Sequence, residues 1–141
     1  MADLIFNKFK EWMADGTLDL DTDAFKVALF SSSSLPAATQ SPATYTAVNG
    51  AKTQVSSGSG YTTGGASLST PTWVLSGATV TFDAVDTAWS SATFTARWAL
   101  IYDTTHASSG IVALIDFGTS KSVTAGTFTI QWHSSGIFTL T

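Results

Sequence analysis

Apolar and polar positions alternate along much of this chain, most clearly from Thr93 to Thr141. Apolar runs follow one another there at Thr93–Tyr102, Gly110–Phe117, Thr127–Trp132 and Ile137–Thr141. In the first, Phe94, Ala96, Trp98, Leu100 and Tyr102 share one phase; in the third, Phe128, Ile130 and Trp132 oppose Thr127, Thr129 and Gln131. A period of two puts alternate side chains on opposite faces of a strand, and the run from Gly110, apolar on both phases until Asp116, reads as a strand covered on both sides. Turn residues separate the runs at 104–110, 118–121, 125–126 and 134–136. Short strands at this spacing, rich in Thr and aromatic residues, predict an antiparallel sheet in a sandwich or barrel.

The pattern differs upstream. Ile5, Phe9, Trp12 and Met13 recur at helical spacing, with Leu4 and Phe6 flanking, so residues 3–15 are predicted to form one amphipathic helix. Asp3 would cap its first turn and Gly16 would end it in a left-handed residue. Such a helix either closes one end of the β body or acts as a foot whose Trp12 face docks on another subunit. Ala24–Phe30 is a strand with Phe25, Val27 and Leu29 in phase. Residues 31–70 are a long Ser/Thr/Gly-rich loop region, with weak strands expected at Thr44–Val48 and Lys52–Val55. Pro71–Leu75 and Ala78–Phe82 read as a hairpin closed by Ser76-Gly77, and Asp83–Ser91 as the link to the sheet beyond.

Composition narrows the function classes. The 141 residues are taken as one domain, 44% hydrophobic and only 11% charged, less than half the usual charged share. Polar surface must come mostly from hydroxyls and backbone, and part of it is expected to be covered by a partner or by further copies of the chain. A net charge of −4 with six dispersed basic residues offers no face for phosphates, so no direct nucleic-acid binding is expected. With no cysteine, disulfides and thiolate metal sites are excluded. Lys8, Lys10 and Glu11 interrupt the first apolar residues, unlike a secretory signal, and no run approaches a bilayer span; no membrane partner is expected.

Candidate chemistry is sparse. Asp19, Asp21 and Asp23 have the spacing of a calcium loop, but Ala24 and Phe30 stand where such a loop needs Gly and Glu. They read better as a solvated, turn-forming lead-in to the next strand. Gly58, Gly60, Gly64 and Gly65 lack the phosphate-loop spacings and have no Lys after them. Asp83 and Asp86 resemble a carboxylate pair but fit turn-holding acceptors better. His106 and His133 have no neighbouring Asp or second His, and no Gly-x-Ser-x-Gly elbow exists. No catalytic, cofactor or metal residues are assigned, and the chain is expected not to be an enzyme.

The order of motifs resembles a family of small structural proteins of tailed bacteriophages. The matching stretches are Asp21–Phe30, Gly60–Leu68, Val80–Asp86 with Trp89, Phe94–Asp103, Ala113–Gly118, Gly126–Trp132 and Gly136–Leu140. The resemblance implies a jelly-roll-like β-sandwich behind one N-terminal helix. It also implies a capsid decoration (cement) role: binding major-capsid subunits on the virion surface, in many copies, after assembly in the host cytoplasm. A neck or collar component has the same signature. The residues singled out for the interface are Ile5, Phe9 and Trp12 on the helix and Tyr61 in the glycine-rich loop, since aromatic anchors dominate protein interfaces. The competing reading is a carbohydrate-binding module using the five Trp and three Tyr as stacking platforms, although Trp98, Phe128 and Trp132 fall in core phase.

Overall fold

A computed structural model describes all residues from Met1 to Thr141. The fold is all-β with antiparallel sheets and two short helices. The elements are β1 (Leu4–Ile5), α1 (Asn7–Asp15), β2 (Phe25–Phe30), α2 (Tyr45–Ala51), β3 (Ala66–Ser67), β4 (Ser69–Ser76), β5 (Thr79–Val85), β6 (Thr87–Asp103), β7 (Ile111–Ile130) and β8 (Phe138–Leu140). One sheet has the order β1-β7-β6-β2-β3 and the other β4-β5-β8.

The first helix is shorter than its periodicity predicts. Leu4 and Ile5 pair with Leu114 and Ala113 as a strand, and the Asp3 carboxylate accepts the Asp116 N–H at 2.7 Å instead of capping a helix. Helix α1 begins after Phe6, whose side chain provides no cap, and ends as expected at Gly16 with φ 78°. The alternate pair Leu4/Phe6, which flanked the helical spacing, was the strand signal. Phe6 and Phe9 are both fully buried, so the segment closes over the core by its strand as much as by its helix.

The second correction concerns Thr44–Val48. Thr44 bridges Gly110 and then caps α2, its hydroxyl accepting the Ala47 N–H at 3.2 Å. Thr, Tyr and Val favour strands as residue types, but Tyr45 and Val48, three apart, share one face. Val48 is buried and Tyr45 stacks on Tyr102 at 4.2 Å, so packing overrides propensity. Thr44→Ala is expected to destabilise the protein by about 1 kcal/mol, the usual worth of such a cap, measured as a shift in urea midpoint at unchanged slope. Residues 53–55 do run extended beside the end of β2: Gln54 bridges Phe30 and Val55 donates to the Leu29 carbonyl.

The predicted hairpin is present, with Gly77-Ala78 rather than Ser76-Gly77 between its strands and Gly77 at φ 61°. A two-residue turn with Gly first is the type II′ arrangement that suits the twist of paired strands. Residues 83–91 are not a separate link: β5 continues to Val85 and β6 starts at Thr87.

The largest difference lies in β7, where two predicted strands are one. Its paired residues run from Ile111 to Ile130 against β6. The supposed breaks are bulges. Between the pairs Ala96↔Lys121 and Trp98↔Asp116, residues 117–120 lie opposite Arg97 alone, and Gly118 takes φ 75°. Asp116 holds this bulge, accepting from the Gly118 N–H at 2.7 Å and pairing with the Arg97 guanidinium. A second bulge sets 124–125 opposite Thr93, with Ala125 at φ 47°. Extra residues in one strand bend and twist a ribbon without ending it.

One buried cluster joins both sheets and α1. Phe25 of the five-stranded sheet meets Phe82 of the three-stranded sheet at 5.9 Å, and Phe9 of α1 meets Phe138 at 5.8 Å. Trp98 is fully buried, stacked on Phe30 at 4.2 Å with its indole N–H on the Ser32 carbonyl. The accessible surface is 6751 Å², close to the roughly 6,900 Å² expected for a compact monomer of this mass. No helix is long and apolar enough to cross a membrane.

Candidate functional site

The four residues singled out as interface anchors do not form one surface. Phe9 is fully buried and Tyr61 is 2% exposed, so both serve this chain's own core instead of a partner. The sequence missed this for Tyr61 because its glycine-rich surroundings read as an open loop. The loop is in fact seated on the sheet. The Tyr61 hydroxyl accepts the Leu29 N–H and the Gln54 amide, both at 2.9 Å, and its ring meets Phe94 at 5.7 Å. Burial pushes the Tyr61 hydroxyl above its ordinary pKa. Ile5 is half-buried in β1. Trp12 is also half-buried, lying on Gly110, where any Cβ would strike its ring, and tilted against His106 at 4.4 Å.

Most of the acidic and imidazole groups weighed as chemistry act as backbone acceptors. Asp19 accepts from Asp21 N–H and Asp23 accepts from Asp19 N–H, both at 2.9 Å, which is the turn-forming role expected of them. Asp83 accepts from Ala84 N–H at 2.9 Å, and Asp86 accepts from Trp132 N–H at 2.8 Å, tying β5–β6 to the end of β7. His106 and His133 use Nδ1 to accept from Ser108 and Ser135 N–H. No group of three or more His, Asp or Glu side chains is placed to hold a metal ion.

Asp103 was not singled out from the sequence, yet it is the one fully buried carboxyl. One oxygen accepts from Thr105 and His106 N–H at 2.7 and 2.9 Å; the other has no partner. Burial, helped by the adjacent Asp23 carboxyl, pushes its pKa up to about 6 against the opposing backbone bonds. It terminates β6 and anchors the 104–110 loop, a structural position with unusual titration.

The surface chemistry lies elsewhere. Leu75, Val74 and Val85 are 70%, 58% and 56% exposed, all on the β4–β5 hairpin. Register puts Trp73, Phe82 and Phe138 in one cross-strand row, and Leu75, Val80 and Leu140 in the next row on the same face. Phe82 and Phe138 of the first row are core; Trp73, with Val80 and Leu140 of the second, borders a groove of about 470 Å³ between the sheet, the end of α1 and the acidic turn. The alternation in 73–75, 80–82 and 138–140 carried the signal for these rows, but the pairing of β8 with β5 did not show in sequence order. A second groove of about 500 Å³ lies between α1 and residues 38–44, beside Trp12. Of the five Trp, three are buried and only Trp12 and Trp73 reach solvent, each half-covered; no flat aromatic plate faces outward. No family model matches the chain, and no curated protein or solved structure matches it.

Proposed function

We propose that the chain is a non-enzymatic structural protein of a tailed-bacteriophage virion, a capsid decoration protein that binds major-capsid subunits and strengthens the head. The observation that carries this reading is the uncovered apolar hairpin, Val74, Leu75 and Val85, on a chain whose Asp and His side chains mostly hold its own turns. Aliphatic side chains left exposed on both faces of one hairpin, on a sparsely charged surface, suit association. The order of motifs from Asp21 to Leu140, which resembles phage structural proteins, supplies the virion context. The finer fold reading is a two-layered, jelly-roll-like sandwich. Its support is the Phe25–Phe82 contact between the sheets and the passage of the chain between sheets after β3, β5 and β7.

Imaging phage particles produced with and without this protein tests the proposal. Added density repeated over the whole head, with greater heat resistance of the particles, is expected. Density confined to one vertex would assign the chain to the neck or collar, and particles lacking the protein altogether would overturn the virion reading.

A further inference from the structure

The three-stranded sheet carries more apolar surface than the core uses. Its first row is closed at Phe82, fully buried, and Phe138, 6% exposed, and opens at Trp73. Its second row runs off the end of the core: Val80 and Leu140 are half-buried and Leu75 lies open at the outer strand. Opposite this row stand Met13 and Gly16 of the α1 terminus, and Trp73 forms part of the wall with its indole N–H fixed on the Leu20 carbonyl at 2.9 Å. The remaining wall is the acidic turn. Asp19 and Asp21 are the only charged residues lining the groove, and no Lys or Arg reaches it. Both carboxylates are exposed, and the Asp19 carboxyl is held below the usual range by the Asp21 N–H.

Apolar floor and anionic rim together select an occupant. A second copy docked about a two-fold axis would bring the same carboxylates face to face, on a chain already at −4, and like charges juxtaposed at an interface are costly. A basic partner segment meets no such opposition. We propose that this groove docks a short segment of another protein, setting an aliphatic or aromatic side chain on the Val80–Leu140 row and a neighbouring lysine or arginine against Asp19 and Asp21. The proposal deepens the contact-module reading and rests on it only for where the partner resides. A single such groove binds weakly, and repetition over an assembly supplies the avidity.

The test uses the full purified chain and three short synthetic peptides. One has a central Leu-Phe pair flanked by lysines, one has the same pair flanked by glutamates, and one has the lysines without the pair. Amide NMR shifts and Trp73 fluorescence report binding. The lysine-flanked apolar peptide is expected to bind at least about tenfold more tightly than either control, a difference of about 1.4 kcal/mol, and to weaken with added salt. Leu140→Ser, within the lining, should abolish binding, and Leu75→Ser, beside Val80 at its edge, should weaken it. Asp21→Asn should erase part of the preference for lysine over glutamate; the exposure of Leu75 and Asp21 makes both variants safe for folding. Absence of binding by all three peptides, or equal binding of the lysine and glutamate forms, would overturn the proposal. So would a concentration-dependent dimer lost on Leu140→Ser, which would give the groove to a second copy. Particle imaging is independent of these outcomes: head density together with failed peptide binding removes the groove and leaves the virion reading standing.

Discussion

Gly65→Ala is expected to yield little folded protein, while Gly64→Ala, one residue earlier, folds with a loss of about 1 kcal/mol. Both glycines have positive φ, 100° at Gly64 and 83° at Gly65, so both substitutions carry the left-handed penalty of a residue with a Cβ. The difference is space. A Cβ on Gly64 would meet nothing closer than the Tyr102 hydroxyl at 3.6 Å, whereas on Gly65 it would fall on the Val27 carbonyl, with Ala28 Cα at 2.7 Å. That obstacle is backbone, held from Phe25 to Phe30 by six paired positions with β6, and it cannot rotate aside as a side chain can. Relief would require lifting the loop. That would break the Ala66–Ser67 pairing with β2 and the bond from the Tyr102 hydroxyl to the Gly64 carbonyl. Steric overpacking, strain and lost bonds together are expected to cost about 4 kcal/mol or more, a large share of a typical domain's stability. Soluble yield and urea midpoints of the two variants check this. A Gly65→Ala protein within about 1 kcal/mol of Gly64→Ala would mean that the loop does not sit on β2 as described.

The same loop shows where sequence reasoning succeeds and where it stops. Glycine clusters announce positive φ, and Gly65, Gly77 and Gly118 all have it. They do not announce whether the chain turns, bulges or presses on a neighbour. At Gly77 the chain turns between β4 and β5. At Gly118 it bulges within β7, because Arg97 and Asp116 clamp the two strands across the extra residues. At Gly65 it lies against β2. Strand-phase patterns were legible where one face is covered, as in Phe128 and Ile130 against the exposed Thr127 and Thr129. They were misleading in Thr44–Val48, where a Thr cap and the Tyr45–Tyr102 stack outweigh β propensity. The candidate surface was the least legible part. Leu140 joins Leu75 and Val80 only through the pairing of β8 with β5, a contact between segments far apart in the chain. Trp12 and Tyr61 attract attention by residue type, but type does not reveal that Gly110 and Leu29 lie ready to receive them.

Asp103→Asn is expected to stabilise the protein at pH 7 and to leave it nearly unchanged at pH 4. The folded-state pKa of Asp103 is raised from 3.8 to about 6, first by burial and then by the neighbouring Asp23 carboxyl. A carboxyl raised on folding holds its proton more tightly in the native state than in the unfolded chain. Stability is therefore highest where Asp103 is protonated, falls as pH rises from about 4 towards 6, and levels off above the folded pKa. The full shift corresponds to about 3 kcal/mol. Asparagine removes the charge and keeps an oxygen for the Thr105 and His106 N–H groups, while its amide can donate towards Asp23 in place of the unpartnered oxygen. Thermal unfolding across pH 4 to 8 should show the parent losing stability over this window and the variant holding level, with a gain near pH 7 of about 2 kcal/mol, or roughly 5–10 °C. Below pH 4 both proteins should weaken together. There Asp15, Asp19 and Asp116, whose pKa values are lowered by bonds from Thr17, from Asp21 and from Arg97, take up protons and lose those bonds. If the variant were the less stable protein at pH 7, the Asp103 carboxylate would have to be ionised and satisfied in the native state. The closure of the 104–110 loop over Trp12 would then depend on that charge rather than on its removal.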